Sequence, residues 1–226
     1  MAEYFGVDVA KWNGNINWAK VAAAGKQFAI LKVTQKNNNV EDSFFGNYVG
    51  AITAGISVGV YRYVYAKNVS QAKAEAEAIV KYIKDKAIPC GVWLDMEDSS
   101  IKNIGKANLT AIIEAEAKII QDAGFGVGIY CNRDWYLNVL NNAYLKNKYP
   151  FWIARYPSSD NGRYNSSSTL APKSYAQAWQ YSSKGKVDGI SGYVDLDVAY
   201  VNLTTLFTKP ISKVKYYPAY SGNVTS

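Results

Sequence analysis

Residues Gly91-Val92-Trp93-Leu94-Asp95-Met96-Glu97-Asp98 form an apolar run that ends in three carboxylates. Burying several unpaired charges is prohibitive, so such a run reads as a buried strand whose last residues emerge at a mouth. Side chains on a strand alternate faces, which puts Trp93, Asp95 and Glu97 on one side and Val92, Leu94, Met96 and Asp98 on the other. The Cα atoms of Asp95 and Glu97 are then about 6.5 to 7 Å apart. At that spacing each carboxylate alters the other's proton affinity, and the pair can divide into an acid and a base. An isolated Asp-x-Glu at a strand end is more often the start of a solvated loop. The weight therefore falls on what else reaches the same place.

Carboxylates are the groups available for the chemistry. The 226-residue chain contains no His, which removes Ser-His and Cys-His nucleophile pairs and every His-ligated metal site. Its two cysteines, Cys90 and Cys131, sit in no metal-ligand or redox spacing. They fall at the start of one strand and the end of the next, so two free thiols are expected. The formal net charge of +7 favours polyanions such as nucleic acid, anionic lipid or a phosphate-rich cell wall. The lysines are spread along the chain, however, which argues against a dedicated nucleic-acid footprint. Neither a membrane span nor a signal peptide is expected. Nineteen Tyr and six Trp offer flat rims on which sugar rings could stack, although most such rings belong to cores.

The elements that would position these acids follow a β-α rhythm. Strands are expected at Tyr4–Val9, Phe28–Thr34, Val58–Tyr65, around Val92–Asp98, at Val127–Cys131 and at Phe151–Tyr156. Helices are expected from Trp18 with Asn17 as cap, from Phe44 behind Ser43, from Ser70 to about Lys84, and from Leu109 to Ala123. Gly25, Gly55 and Gly124 stop three of them. A short helix covers Asp134 to Asn141. From there helices fade, and Tyr175–Tyr181 and Val187–Tyr200 read as mostly bare strands. Five βα units followed by three strands imply a parallel sheet with right-handed crossovers, and eight strands close into a small barrel.

Catalytic groups of such barrels collect at the C-terminal ends of strands. Asp8 lies late in the first strand, Asp95 and Glu97 end the fourth, and Asp195 or Asp197 belongs to the last. These acids would converge on one mouth, lined by Tyr61, Tyr63, Tyr130, Trp152 and Trp179, with Lys32 at the exit of the second strand completing the candidate substrate contacts. This convergence favours a carboxylate-based hydrolase.

Gly6-Val7-Asp8-Val9-Ala10-Lys11-Trp12-Asn13-Gly14, followed by Ile16-Asn17-Trp18, resembles the N-terminal signature of the glycoside hydrolase family 25 muramidases, the Chalaropsis-type lysozymes. Further matches follow in the family's order: Phe28–Thr34, Gly59-Val60-Tyr61, Leu94-Asp95-Met96-Glu97, Trp152-Ile153-Ala154-Arg155-Tyr156, Trp179-Gln180-Tyr181 and Val194-Asp195-Leu196-Asp197. The resemblance covers residues 4 to about 200. It implies a single-domain α/β fold, a flattened TIM-like (β/α)5(β)3 barrel over residues 1–207, which cleaves the β-1,4 bond from N-acetylmuramic acid to N-acetylglucosamine in peptidoglycan without a cofactor or metal. By position Glu97 matches the general acid, and Asp95, Asp8 and Asp195 match the other acids. Asp95 would orient the substrate's N-acetyl group; in a competing scheme Asp95 or Asp195 acts as base on a water. A catalytically inert wall-binding barrel is the alternative function.

Two positions depart from the family pattern. Gln35 stands where many relatives carry Glu, and Arg62 where many carry His, so altered substrate contacts or pH dependence are expected there. Residues 208–226 read as a linker leading to an absent wall-binding domain, or as a tail. The expected context is a monomeric phage or prophage lysin that meets bacterial cell-wall peptidoglycan after release through a holin, with no nucleic-acid partner and no membrane insertion.

Overall fold

A computed structural model describes residues 2–207; the expected linker at 208–226 lies outside the described residues. In chain order the elements are β1 (Tyr4–Val9), α1 (Trp18–Ala23), β2 (Phe28–Lys32), α2 (Phe44–Thr53), β3 (Ser57–Tyr63), α3 (Val69–Ile83), β4 (Val92–Asp95) and α4 (Lys106–Asp122). There follow β5 (Val127–Asn132), one π-helical turn (Trp135–Val139), α5 (Asn142–Leu145), β6 (Phe151–Ala154), β7 (Ala178–Gly185), β8 (Val194–Ala199) and α6 (Leu203–Leu206). The eight strands close into a barrel in sequence order. This is the expected α/β architecture of five βα units and three further strands.

Local chemistry sets most of the boundaries. Gly25, Gly55 and Gly124 follow helices with φ of +82°, +78° and +92°, a left-handed conformation that costs glycine little. The Asn17 side chain accepts the Lys20 amide at 3.1 Å and caps α1. For α3 the cap is Asn68, which accepts the Gln71 amide at 3.0 Å, in place of the expected Ser70. The short helix expected over Asp134–Asn141 is the π-helical turn, with α5 following it.

The sheet corrects one expectation. Strands β1 to β7 pair in parallel, but β8 runs antiparallel to both β7 and β1, with Asp8 opposite Asp195 and Gly6 opposite Asp197. The start of β8 therefore lies at the mouth formed by the ends of the other strands. The β7 strand is also shifted from the expected Tyr175–Tyr181, and only Val194–Ala199 of the stretch to Tyr200 forms β8.

Both faces of the barrel wall are apolar, as expected for strands covered outside by helices and filled inside by side chains. Outward residues such as Val7, Val60, Leu94 and Ile129 pack with the helices. Phe28, Ile30, Trp93, Tyr130 and Trp152 fill the interior. Fully burying one aliphatic or Phe side chain of this kind contributes about 1.5–3 kcal/mol. The filling depends on a bare backbone opposite: a Cβ on Gly128 would lie 2.4 Å from the Trp93 ring. At the other end from the mouth, Phe207 packs edge-on against Trp93 with ring centroids 5.5 Å apart and closes the barrel floor. Cys90 belongs to the inner layer and Cys131 to the outer one, and both are buried free thiols. Among the described residues no helix is long and apolar enough to cross a membrane.

Candidate active site

Asp8, Asp95, Glu97 and Asp195 line one cavity of about 230 Å³ at the mouth, together with Tyr61, Tyr63, Tyr130 and Trp152. Each arrives by strand parity. Asp95 is the last residue of β4, paired with Tyr63 on β3 and Tyr130 on β5. Beyond the strand proper, the Val64 amide bonds the Asp95 carbonyl at 3.0 Å and the Met96 amide bonds the Tyr130 carbonyl at 2.9 Å. These bonds prolong the alternation, so Met96 is buried outside the wall and Glu97 lines the cavity with Asp95. Asp98 leaves the wall and accepts the Ser100 amide at 2.9 Å, closing a turn.

On the opposite flank the acids are tied into a chain of donors. The Tyr130 hydroxyl donates to Gln180 Oε1 at 2.7 Å, and the Tyr156 hydroxyl donates to the same oxygen. With its oxygen so occupied, the Gln180 amide must present its NH₂, which donates to Asp8 Oδ2 at 2.6 Å. Asp197 faces the same interior but lies deeper, wholly shielded from solvent, and accepts Trp152 Nε1 at 2.9 Å. Of the two acids that β8 offered, Asp195 is the one at the rim and Asp197 is part of its support.

Burial dominates the electrostatics. It pushes the Asp95 carboxyl well above the ordinary carboxylate range, aided by Glu97 and opposed by the Lys32 ammonium. Glu97 is pushed up by burial, opposed by Lys32 and aided by Asp98. Asp8 is held well above its usual range by burial and by Asp195 and Asp197. Asp195 is pushed up to about 6 by burial, Glu97 and Asp160. A carboxyl whose pKa rises on folding stabilises the fold below its unfolded pKa and loses that contribution as pH rises through the folded one. Asp195→Asn should therefore stabilise the protein above pH 6 by up to about 3 kcal/mol, from the size of that shift. The gain should vanish by about pH 4. Thermal melts of both proteins across this window provide the measurement.

Lys32 reaches the same rim, its ammonium 5.8 Å and 5.7 Å from the Tyr61 and Tyr63 ring centroids. Trp179 does not. It points to the outer face, packs with Tyr164 and Tyr181, and donates from Nε1 to the Arg155 carbonyl at 2.8 Å. Its neighbour Gln180 takes the inner place, because adjacent strand residues face opposite ways. Gln180 and Tyr156 were not among the residues expected at the mouth. A lone Gln in the apolar run Ala178–Tyr181 is the available signal, since a buried amide needs partners.

The two departures from the family pattern also lie away from the cavity. Arg62 is fully buried outside the wall, where it pairs with Glu75 at 3.1 Å, donates to Thr34 Oγ1 and Asn38 Oδ1 at 2.8 Å each, and bonds the Gln35 carbonyl. The Gln35 side chain bonds the Val40 carbonyl and Asp42. Arg62 thus forms a bracket between β3, α3 and the loop after β2 and makes no direct contact with the cavity.

Residues 7–190 match the family Glycosyl hydrolases family 25. Lysozyme M1 of Streptomyces globisporus is 32% identical over 203 residues, which cover 84% of this chain and 65% of that protein. The autolytic lysozyme of Clostridium acetobutylicum is 27% identical over 85% of this chain and 54% of its own length. The chain thus spans less than two thirds of these curated relatives. Among solved structures, the bacterial lysozyme of Streptomyces coelicolor superposes with a TM-score of 0.72 at 26% identity, covering 91% of this chain and 97% of that one. The CTP1L endolysin superposes with a TM-score of 0.68 at 27% identity, covering 88% and 66%.

Proposed function

The chain belongs to the glycosyl hydrolases of family 25, and from that membership we propose that it is a lysozyme-type peptidoglycan hydrolase cutting the β-1,4 bond between N-acetylmuramic acid and N-acetylglucosamine. The observation that carries the mechanism is Asp95 Oδ1, which is buried at the cavity without a hydrogen-bond partner. A buried carboxylate oxygen left unsatisfied is costly, and a substrate N–H is the kind of group that would complete it. The N-acetyl amide of the sugar in the cleaved bond supplies one.

In this reading Asp95 and Glu97 hold one proton between them, as neighbouring carboxyls that share one cavity do. Hydrogen bonding from the substrate amide to Asp95 favours its ionised form and leaves the proton on Glu97. Glu97 then protonates the leaving glycosidic oxygen as the C–O bond breaks. The N-acetyl carbonyl oxygen bonds to the anomeric carbon, and ionised Asp95 balances the positive charge that develops on the amide. Water next adds to that carbon as the carbonyl oxygen leaves, giving its proton to Glu97 and restoring the acid. Asp195 adds negative charge on the far flank. Its burial-raised value of about 6 leaves it ionised above neutral pH.

Fragments released from purified Gram-positive walls should carry new N-acetylmuramic acid reducing ends by mass spectrometry, and rapid NMR should show the retained β-anomer first. N-acetylglucosamine reducing ends would keep a glycosidase but change its bond. The inverted anomer would move the base role to Asp195 acting on water. The lysozyme and endolysin relatives support an action on cell walls, and residues 1–207 are the catalytic unit in this proposal.

A further inference from the structure

Trp12 and Tyr193 have the highest fractional exposures among the large apolar side chains described, 84% and 60%. They stand together. Trp12 lies in the short turn Lys11–Asn13 just after β1, Tyr193 lies just before β8, and Asn13 Nδ2 donates to the Tyr193 carbonyl at 3.4 Å. Their strands carry Asp8 and Asp195, which face each other in the ladder and line the cavity, so the two residues sit beyond those acids at the mouth end of adjacent strands. Neither ring contributes to either core layer. Exposed aromatic surface beside a binding cavity, with no packing role, marks a contact for something that leaves the cavity.

The charges nearby identify its chemistry. Lys11 Nζ sits 5.3 Å from the Trp12 ring centroid and Lys186 Nζ 5.6 Å from the Tyr193 ring centroid. Lys11 shares its charge with Asp42 at 3.3 Å, whereas Lys186 forms no ion pair among the described residues. Flat apolar faces between cations suit a polymer of sugar rings bearing carboxylates, and the chain's net charge of +7 draws it in. Resting on the peptidoglycan reading of the cavity, we infer that Trp12 and Tyr193 form an accessory subsite. It stacks a distal sugar of the glycan strand as that strand leaves the mouth over β1 and β8, and Lys11 and Lys186 face the strand's carboxylates.

The test uses Trp12→Ala/Tyr193→Ala with Trp12→Phe/Tyr193→Phe as the conservative variant. In a Glu97→Gln background, sedimentation with purified peptidoglycan freed of phosphate polymers should show about a tenfold loss of affinity for the alanine pair and near wild-type affinity for the phenylalanine pair. In the active background KM for long strands should rise by a similar factor with kcat unchanged, while a tetrasaccharide that fills only the mouth keeps its KM. Both side chains are exposed, so the melting temperature should not move. Unchanged affinity and unchanged KM on long strands overturn the subsite. A loss seen only on walls that retain phosphate polymers also overturns it, assigning the surface to those polymers. A wild type that cleaves no wall refutes the hydrolase reading instead, and sedimentation still reads the subsite on its own.

Discussion

Glu97→Gln should lower wall lysis by about 10³-fold, in the middle of the range for losing a general acid. The substitution keeps the shape of a side chain that is only partly shielded at the cavity wall. It removes the proton that the leaving oxygen needs. A substrate with a leaving group that departs without protonation, such as a nitrophenyl glycoside, should recover most of that loss. Asp95→Asn should be as slow on walls, but the activated substrate should not rescue it, because the N-acetyl group would still lack its counter-charge. Rescue of both variants, or of neither, would remove the division of roles between the two acids. Loss of fold cannot produce this pattern. Burial raises the Glu97 pKa, so its ionisation opposes folding as pH rises, and the Gln variant should melt at or above the wild type at neutral pH.

The site was legible where local rules reach and illegible where they stop. Asp95 and Glu97 could be paired because strand parity runs through consecutive residues, and backbone bonds of Val64 and Met96 carry that parity past the last residue of β4. Gly25, Gly55 and Gly124 marked helix ends because their positive φ is a local demand. The direction of β8 is a different matter. With no crossover helix between β7 and β8, nothing in the period of Val194–Ala199 states which way it runs, and only pairing with β1 brings Asp195 to Asp8. Trp179 failed for a related reason. Barrel strands are apolar on both faces, so the sequence Ala-Trp-Gln-Tyr does not say which side is inside. The interior took Gln180, whose amide three neighbours satisfy, and left the larger ring to Tyr164 and Tyr181. Arg62, singled out as a departure from the family pattern, lies outside the cavity that its neighbours Tyr61 and Tyr63 line. The same parity that sends them inward sends Arg62 out.

That outward placement makes Arg62→Met the substitution expected to cost most in stability, about 3–5 kcal/mol, the usual cost of removing one partner of a buried ion pair. Arg62 is fully shielded and Glu75 is 5% exposed. Without the guanidinium, Glu75 keeps only the Tyr65 amide as a bonded donor, at 3.3 Å to each oxygen. The Gln35 carbonyl loses its guanidinium donor, as does the Asn38 side chain in a loop whose Asn38 backbone sits at φ +65°. Among the described residues no other cation pairs with Glu75. Glu116, whose two buried carboxyl oxygens have no hydrogen-bond partner among the described residues, is pushed well above its usual range by burial and by Glu75 and offers Glu75 no compensating charge. Removing both partners with Arg62→Met/Glu75→Leu should return most of the lost stability, because no charge is then stranded. Denaturant melts of wild type, the single variants and the double variant close the cycle. Kinetics measured well below the lowered melting temperature should show KM and the pH profile near wild type, since Arg62 touches no part of the cavity. A shifted pH profile in a fully folded single variant would instead return Arg62 to the role its sequence position suggested.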